Sequence, residues 1–168
     1  EEKNFDAFIT VKKDNIKQIC LFLRDIDGLK FDYLVNLTGM DWGKELGVVY
    51  HLYSLSLKHR IILKVFLDKE NPILPSVERC WKSANWHERE AWDMYGIQFE
   101  NHPDLRRILT DYGFNGYPLR KDFPLSGFIE LRYYDKYKKI IYSPIKLIQE
   151  FRKYELQSPW NFYDLNFK

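Results

Sequence analysis

Cysteine is scarce in this chain of 168 residues, which contains Cys20 and Cys80 and no others. Two isolated thiols cannot supply the four ligands of an iron–sulfur cluster or a structural zinc site. They also cannot form the several disulfides that staple a small secreted domain. Because both stand among apolar residues, we expect them to pack in a core, in a protein of a reducing compartment.

Long apolar runs and a dominant charge are also missing. No stretch approaches the roughly 18 unbroken apolar residues of a membrane-spanning helix, so a membrane role is expected to be peripheral. The 26 basic and 24 acidic residues leave a net charge of +2. A nucleic-acid-binding protein needs a one-sided basic field, so we expect no nucleic-acid partner.

The sequence contains no complete catalytic, metal-binding or nucleotide-binding motif. The glycines match neither the dinucleotide-binding pattern nor the phosphate-binding loop. His87-Glu88 begins a zinc-protease motif, but Ala91 stands where that motif needs its second histidine. Ser126-Gly127 is not a nucleophile elbow. We therefore expect no catalytic residue, no metal site and no cofactor in this chain.

Aromatic residues, by contrast, are abundant at 17% of the chain. Tyrosine and phenylalanine contribute 12 each and tryptophan 5. Aromatic side chains are enriched at the buried centres of protein interfaces. This composition favours a protein partner.

Residues 1–112 carry the patterns of an α+β domain. Apolar residues at helical spacing predict a helix over residues 14–24 with one apolar face, formed by Ile16, Ile19, Cys20 and Leu23. Two β-type runs joined by a short turn predict a hairpin. The other expected elements are strands at residues 5–11 and 31–37 and helices at residues 76–82 and 85–96. The predicted fold is a small mixed, largely antiparallel sheet with helices packed on it.

Residues 113–168 are predicted to form an extended C-terminal interaction arm. Pro118 and Pro124 push the residues before them toward extended conformations, which excludes a helix over residues 118–124. Such a segment would gain stability in a groove, either of a neighbouring subunit or of its own domain. A second hairpin is expected at residues 128–142, followed by a helical turn or two and an aperiodic aromatic tail.

The segment of residues 86–124 is dense in charge. Glu88, Glu90 and Asp93 could be a carboxylate cluster for acid–base work or metal binding, with Glu90 and Asp93 on one helix face. Arg89, Arg106 and Arg107 are equally placed to be their counter-charges. We favour a salt-bridged scaffold in which Asp93 and Arg107 are partners. We likewise expect a structural hydrogen bond from His102 rather than a ligand or base.

The same residues carry a resemblance to a known family. The segments that match are Glu88-Arg89-Glu90, Asp93-Met94, Gly96-Ile97, Asn101-His102-Pro103-Asp104-Leu105, Arg107-Ile108-Leu109, Pro118 with Leu119, and Arg120-Lys121-Asp122-Phe123-Pro124. Together they resemble the signature of the thirty-kilodalton-type subunit of respiratory NADH:ubiquinone oxidoreductase (complex I). That protein is known as the C subunit in bacteria and as subunit 9 where mitochondria encode it.

The resemblance implies a cofactor-free structural subunit in the hydrophilic arm of complex I. It would pack against the quinone-pocket subunit and the iron–sulfur subunits, and meet the membrane only through the complex. The implied location is the matrix side of the mitochondrial inner membrane, organelle-encoded, or else the cytoplasmic membrane face of a bacterium. The residues expected in this interface or structural signature are Glu88, Arg89, Glu90, Asp93, His102, Pro103, Asp104, Arg106, Arg107, Pro118, Arg120, Lys121, Asp122, Phe123 and Pro124.

Three alternatives remain beside this interpretation. The nearest is the equivalent subunit of a related membrane-bound hydrogenase. The others are a carboxylate enzyme that uses Glu90, Asp93 and His102, and an organellar RNA-binding protein.

Overall fold

The computed structural model describes residues 7–147 and divides the chain into two compact units, Glu1–Leu125 and Ser126–Lys168. The arm was expected to begin at residue 113. The first unit instead extends to Leu125, because residues 117–121 bond to helix and strand residues far upstream in the chain.

A four-stranded sheet forms the centre of the first unit. Its strands are β1 (Phe8–Thr10), β2 (Tyr33–Asp41), β3 (Glu45–Tyr53) and β4 (Arg60–Asp68), in the order β1-β4-β3-β2. β1 runs parallel to β4, and the other neighbours are antiparallel. The predicted mixed, largely antiparallel sheet is confirmed, including its β3–β4 hairpin.

Two α-helices belong to this unit. A short 3-10 turn (Lys13–Asn15) leads into α1 (Ile16–Asp25), and α2 spans Ala84–Tyr95. The expected apolar face of α1 is buried at Ile16, Cys20 and Leu23. Two short strands that flank α2, β5 (Ile73–Pro75) and β6 (Gln98–Glu100), pair in parallel.

The core lies on one side of the sheet. Alternate residues of a strand point to opposite faces, and one set in β3 is almost fully buried: Leu46, Val48, Tyr50 and Leu52. α1 contributes Ile16 and Cys20 to the same core, and Cys80 is also buried in it. The cysteines therefore pack in the core as expected.

The predicted helix over residues 76–82 is wrong, because these residues form turns. The amides of Cys80 and Trp81 both donate to the Val77 carbonyl, and the chain turns again at Ala84. The indole Nε1 of Trp81 donates to the Phe31 carbonyl at 3.1 Å. Val77 and Trp81 are buried against the core, and this burial outweighs the local preference for a helix.

The second unit contains the predicted hairpin. β7 (Ile129–Tyr134) pairs with β8 (Lys139–Pro144) in antiparallel register. The helical turn expected from Pro144 onward and the aromatic tail at residues 158–168 fall largely or wholly outside the described residues.

Candidate functional site

Helix α2 carries three buried charged side chains, Glu88, Arg89 and Asp93. The helix ends at Gly96, whose φ of 74° places it in the left-handed region. Glycine adopts this conformation without steric cost, so this residue type allows the chain to reverse. The reversal brings the segments that follow back against the helix.

Asp93 is the centre of a dense set of hydrogen bonds. Its Oδ2 accepts from the backbone amides of Ile108, Leu109 and Thr110 at 3.0, 2.7 and 2.9 Å. Its Oδ1 accepts from the Thr110 hydroxyl and from Arg107 Nη1. Burial alone would raise the pKa of Asp93, but these hydrogen bonds outweigh it and hold the pKa well below its ordinary range.

Arg107 is the partner of Asp93, as predicted, with 2.7 Å between Nη1 and Oδ1. The guanidinium also donates to the Gly116 carbonyl at 3.2 Å. Its Cζ lies 5.6 Å from the ring centres of Trp92, Phe114 and Tyr117. One cation therefore ties α2 to residues 114–117 by charge, hydrogen bond and ring contact.

Arg89 and Arg106 do not serve as counter-charges for the α2 carboxylates. Arg89 donates to the carbonyls of Arg106 and Arg107 at 3.2 and 3.1 Å. Arg106 pairs with Asp104 at 2.8 Å on the surface. Among the described residues Arg89, Arg106 and Arg107, only Arg107 forms an ion pair with a carboxylate of α2.

Glu88 is fully buried and has its own partners. Its two oxygens accept from the Ser76 hydroxyl at 2.6 Å and the Val77 amide at 2.8 Å. Burial raises the pKa of Glu88 from 4.5 to about 7, and the two hydrogen bonds oppose that rise. The carboxylate thus joins the segment after β5 to α2.

His102 makes the structural hydrogen bonds that were expected of it. Its Nδ1 accepts from the Asp104 amide at 3.1 Å, which leaves Nε2 as the protonated nitrogen. Nε2 lies 3.3 Å from the Asn85 carbonyl and 3.8 Å from Glu88 Oε2. The ring is therefore a link between α2 and the loop after β6.

The carboxylates do not converge on one reacting centre. Glu88 and Asp93 are buried with separate partners, whereas Glu90 is exposed. Glu90 and Asp93 were expected on one helix face, but Glu90 is exposed to solvent whereas Asp93 is buried. Within residues 7–147, His, Cys, Asp and Glu side chains form no group of three or more that could hold a metal ion.

Residues 118–124 fold onto their own domain in turns. Arg120 N donates to the Tyr117 carbonyl and Phe123 N to that of Arg120, each at 3.1 Å. Leu119 N donates to the Met94 carbonyl, and Arg120 Nε to that of Tyr95. The prediction of an extended segment is wrong, since turn and helix-end carbonyls accept hydrogen bonds from these groups.

Asp41, at the end of β2, also holds this segment. Its buried carboxylate accepts from the Lys121 amide at 2.9 Å and the Gly43 amide at 2.7 Å. Lys69 lies 3.6 Å from Asp41 and 3.3 Å from Asp122. Sequence reasoning missed Asp41, Ser76 and Thr110 as functional partners. Asp41 is the last residue of β2 and precedes a turn, and an aspartate at a turn is the local sequence signal that could have identified it.

The chain matches the family model described as "Respiratory-chain NADH dehydrogenase, 30 Kd subunit" over residues 9–129. The chain belongs to this family. The match covers the sheet, both helices and the turns that Asp41 and Asp93 hold together. The contacts of Asp93, Arg107 and Glu88 therefore lie in the part of the chain that defines the family.

Several bacterial proteins are close relatives, each named as the C subunit of NADH-quinone oxidoreductase. The protein of Paramagnetospirillum magneticum is 51% identical over 90% of this chain and 77% of its own length. That of Hyphomonas neptunium is 50% identical over 90% of this chain and 76% of its own length. These relatives give no support to the predicted mitochondrial location.

Two solved structures share the fold. One, described as Nqo5 of a trypsin-resistant fragment, has a TM-score of 0.56 and 30% identity, covering 62% of this chain and 87% of its own. The other is from an archaeal respiratory membrane complex, the membrane-bound sulfane sulfur reductase. Its TM-score is 0.63 at 26% identity, and it covers 74% of this chain and 76% of its own.

Proposed function

We propose that this chain is a structural subunit of the hydrophilic arm of complex I, supporting electron transfer from NADH to quinone by holding neighbouring subunits in place. The family membership supports this role. The charged residues of α2 support it too, because Glu88, Arg89 and Asp93 are each occupied by structural partners. Their chemistry stabilises the fold, and the work of the subunit lies at its surfaces.

The observation that carries the proposal is the hairpin of the second unit. One of its faces is formed only by apolar and aromatic side chains: Ile129, Leu131, Tyr133, Ile140, Tyr142 and Pro144. Five of these six are between 56% and 65% exposed. The opposite face carries Glu130, Arg132 and Lys139. A two-stranded hairpin is marginally stable alone in water, so this apolar face needs a partner to cover it.

We assign this hairpin face to the quinone-pocket subunit, with the iron–sulfur subunits as further neighbours of the chain. The family resemblance is the source of that assignment. The exposed side chains of Leu119 and Leu125 are a separate proposed contact of the first unit.

Assembly of the complex tests the role of the hairpin. Leu131 and Tyr142 face each other across the strands, so Leu131→Asp with Tyr142→Asp places two charges in the proposed interface. We expect the variant chain to be lost from the high-mass complex on native gels, because burying unpaired charge is costly. Arg132→Gln with Lys139→Gln alters the opposite face as the matched control and should assemble. Equal assembly of both variants would contradict the proposal.

The location follows from membership in the complex. The bacterial relatives are in keeping with the cytoplasmic membrane face of a bacterium, and the mitochondrial inner membrane remains a prediction. Within residues 7–147, no helix is long and apolar enough to cross a bilayer. Attachment through neighbouring subunits fits this finding.

A second candidate is the equivalent subunit of a related respiratory membrane complex. The fold shared with the archaeal sulfane sulfur reductase supports it. Mass spectrometry of the complex purified through a tag on this chain would separate the two. Flavin- and NADH-binding subunits are expected in complex I, and their absence from an intact complex would favour the second candidate.

A further inference from the structure

The four-stranded sheet has an outer face, on the side opposite the α1 core. In β3, Val49, His51 and Tyr53 alternate with the core residues and therefore point outward; Val49 is buried there, whereas His51 and Tyr53 are half-buried. The pairing register of β1, β2 and β4 identifies the other residues that point outward on the same face. The apolar and aromatic members of this outer face include Phe8, Tyr33, Val35, Met40, Ile62 and Phe66.

This outer face carries several exposed apolar side chains among its polar residues. Antiparallel sheets with one solvated face usually alternate between apolar and polar residues. Here Phe8 is 62% exposed and Val35 is 49% exposed. Trp42 stacks on Phe66 with 4.7 Å between ring centres. Exposed apolar side chains grouped on one face in this way mark an interaction site.

The shape of the outer face fits a helix. Nine-residue strands such as β2, β3 and β4 span about 30 Å, the length of a helix of about 20 residues. The four strands are together wider than one helix, which is about 10 Å across. The bulge at Val35 borders a shallow depression of about 210 Å³, lined also by His51, Tyr53 and Ile62, which could seat one protruding side chain.

The charged residues of the outer face indicate what charge its partner should carry. Lys64 is outward in the middle of β4, with its Nζ 4.2 Å from the centre of the Phe8 ring. The acidic residues Glu45 and Asp68 lie opposite each other at one end of the face, and Arg60 lies at the other. The outward residues that pair beside Lys64 are Val49 and Thr10, and the next across is Thr38. The centre of the face therefore holds one positive charge beside two threonines and a buried valine.

We propose that the outer face of the sheet is a second docking surface, which takes an amphipathic helix of another subunit with a carboxylate placed against Lys64. The inference rests on the proposed membership of the chain in a multi-subunit complex. Within residues 7–147, both α-helices pack on the opposite face of the sheet. Charge complementarity at Lys64 fixes the register of the partner helix.

Photo-crosslinking in the assembled complex tests this surface. A benzoyl-phenylalanine in place of Phe66 lies on the outer face, and the same group in place of Gln18, on the exposed side of α1, is the control. We expect the first to capture a peptide of another subunit that has helical apolar periodicity and an acidic residue. Lys64→Glu should lower that capture about tenfold, with recovery when the partner's acidic residue is changed to lysine. Lys13→Glu, on the exposed 3-10 turn, should leave it unchanged.

The outcomes separate this inference from the proposed function. Native gels report whether the chain is in the complex, independently of capture. This inference alone is overturned if the assembled complex gives no adduct. It is also overturned if the adduct forms within this chain, with a second copy of it, or with a peptide that lacks helical periodicity. If the wild-type chain is not found in any high-mass complex, both proposals fail together.

Discussion

The carboxylate of Asp93 and the guanidinium of Arg107 lie 2.7 Å apart, and the same carboxylate accepts three successive backbone amides from residues 108–110. A carboxylate held in this way fixes a loop that contains no regular secondary structure. Arg107 in turn reaches the Gly116 carbonyl. The pair therefore holds residues 107–116, which have no regular secondary structure, against α2.

Asp93→Ala should destabilise the first unit by about 3–5 kcal/mol, because Arg107 and three amides would lose their acceptor. Urea unfolding of the full chain measures this directly. Glu90→Ala changes an exposed carboxylate on the same helix and should alter the free energy of unfolding by less than about 0.5 kcal/mol. If Asp93→Ala assembled normally but abolished quinone reduction, Asp93 would belong to a mechanism instead.

Glu88 should make stability depend on pH near neutrality. With its pKa raised from 4.5 to about 7, the folded chain binds more protons than the unfolded chain between these values. The free energy of unfolding therefore falls as pH rises through this window, by on the order of 3 kcal/mol from this group, and levels off above it. Glu88→Gln removes the titrating group and should lose that part of the fall. Parallel curves for the two proteins between pH 5 and pH 8 would show that Glu88 does not titrate there.

Gly96→Ala should cost more than any other glycine substitution tested beside it. Gly96 has a φ of +74°, and an added Cβ would lie 2.6 Å from the Tyr117 ring and 2.8 Å from Arg120 Nη2. Backbone strain alone is about 1–3 kcal/mol, and the contacts add to it. Gly43→Ala shares a positive φ in open space, and Gly28→Ala has neither problem. Thermal unfolding should rank the variants in that order, and equal losses at Gly96 and Gly43 would show that the Tyr117 contact yields freely.

Asp41→Ala should release residues 118–124 while the sheet stays folded. The Lys121 amide would lose its acceptor, and a lost hydrogen bond of about 1–1.5 kcal/mol corresponds to roughly tenfold faster hydrogen exchange. Asp122→Ala removes the exposed partner of Lys69 and should leave exchange at Lys121 nearly unchanged. Unaltered protection in Asp41→Ala would mean that the Met94 and Tyr95 carbonyls hold the segment without help.

Local patterns in the sequence predicted much of the fold. The apolar repeat of α1, the glycine that ends α2 and the β3–β4 and β7–β8 hairpins are short-range features, since periodicity and turn residues report on neighbours within a few positions. The family signature is also a local string. It identified the family and drew attention to Asp93 and Arg107, which are only 14 positions apart.

Long-range contacts decided the rest. The Asp41 carboxylate accepts a hydrogen bond from an amide 80 positions away, and β1 lies parallel to β4 beyond α1. Residues 118–124 contain two prolines that favour extended backbone locally, yet helix-end carbonyls and Asp41 draw them into turns. Such partners are set by packing of distant segments, and burial together with backbone hydrogen bonding outweighs local preference wherever the two conflict.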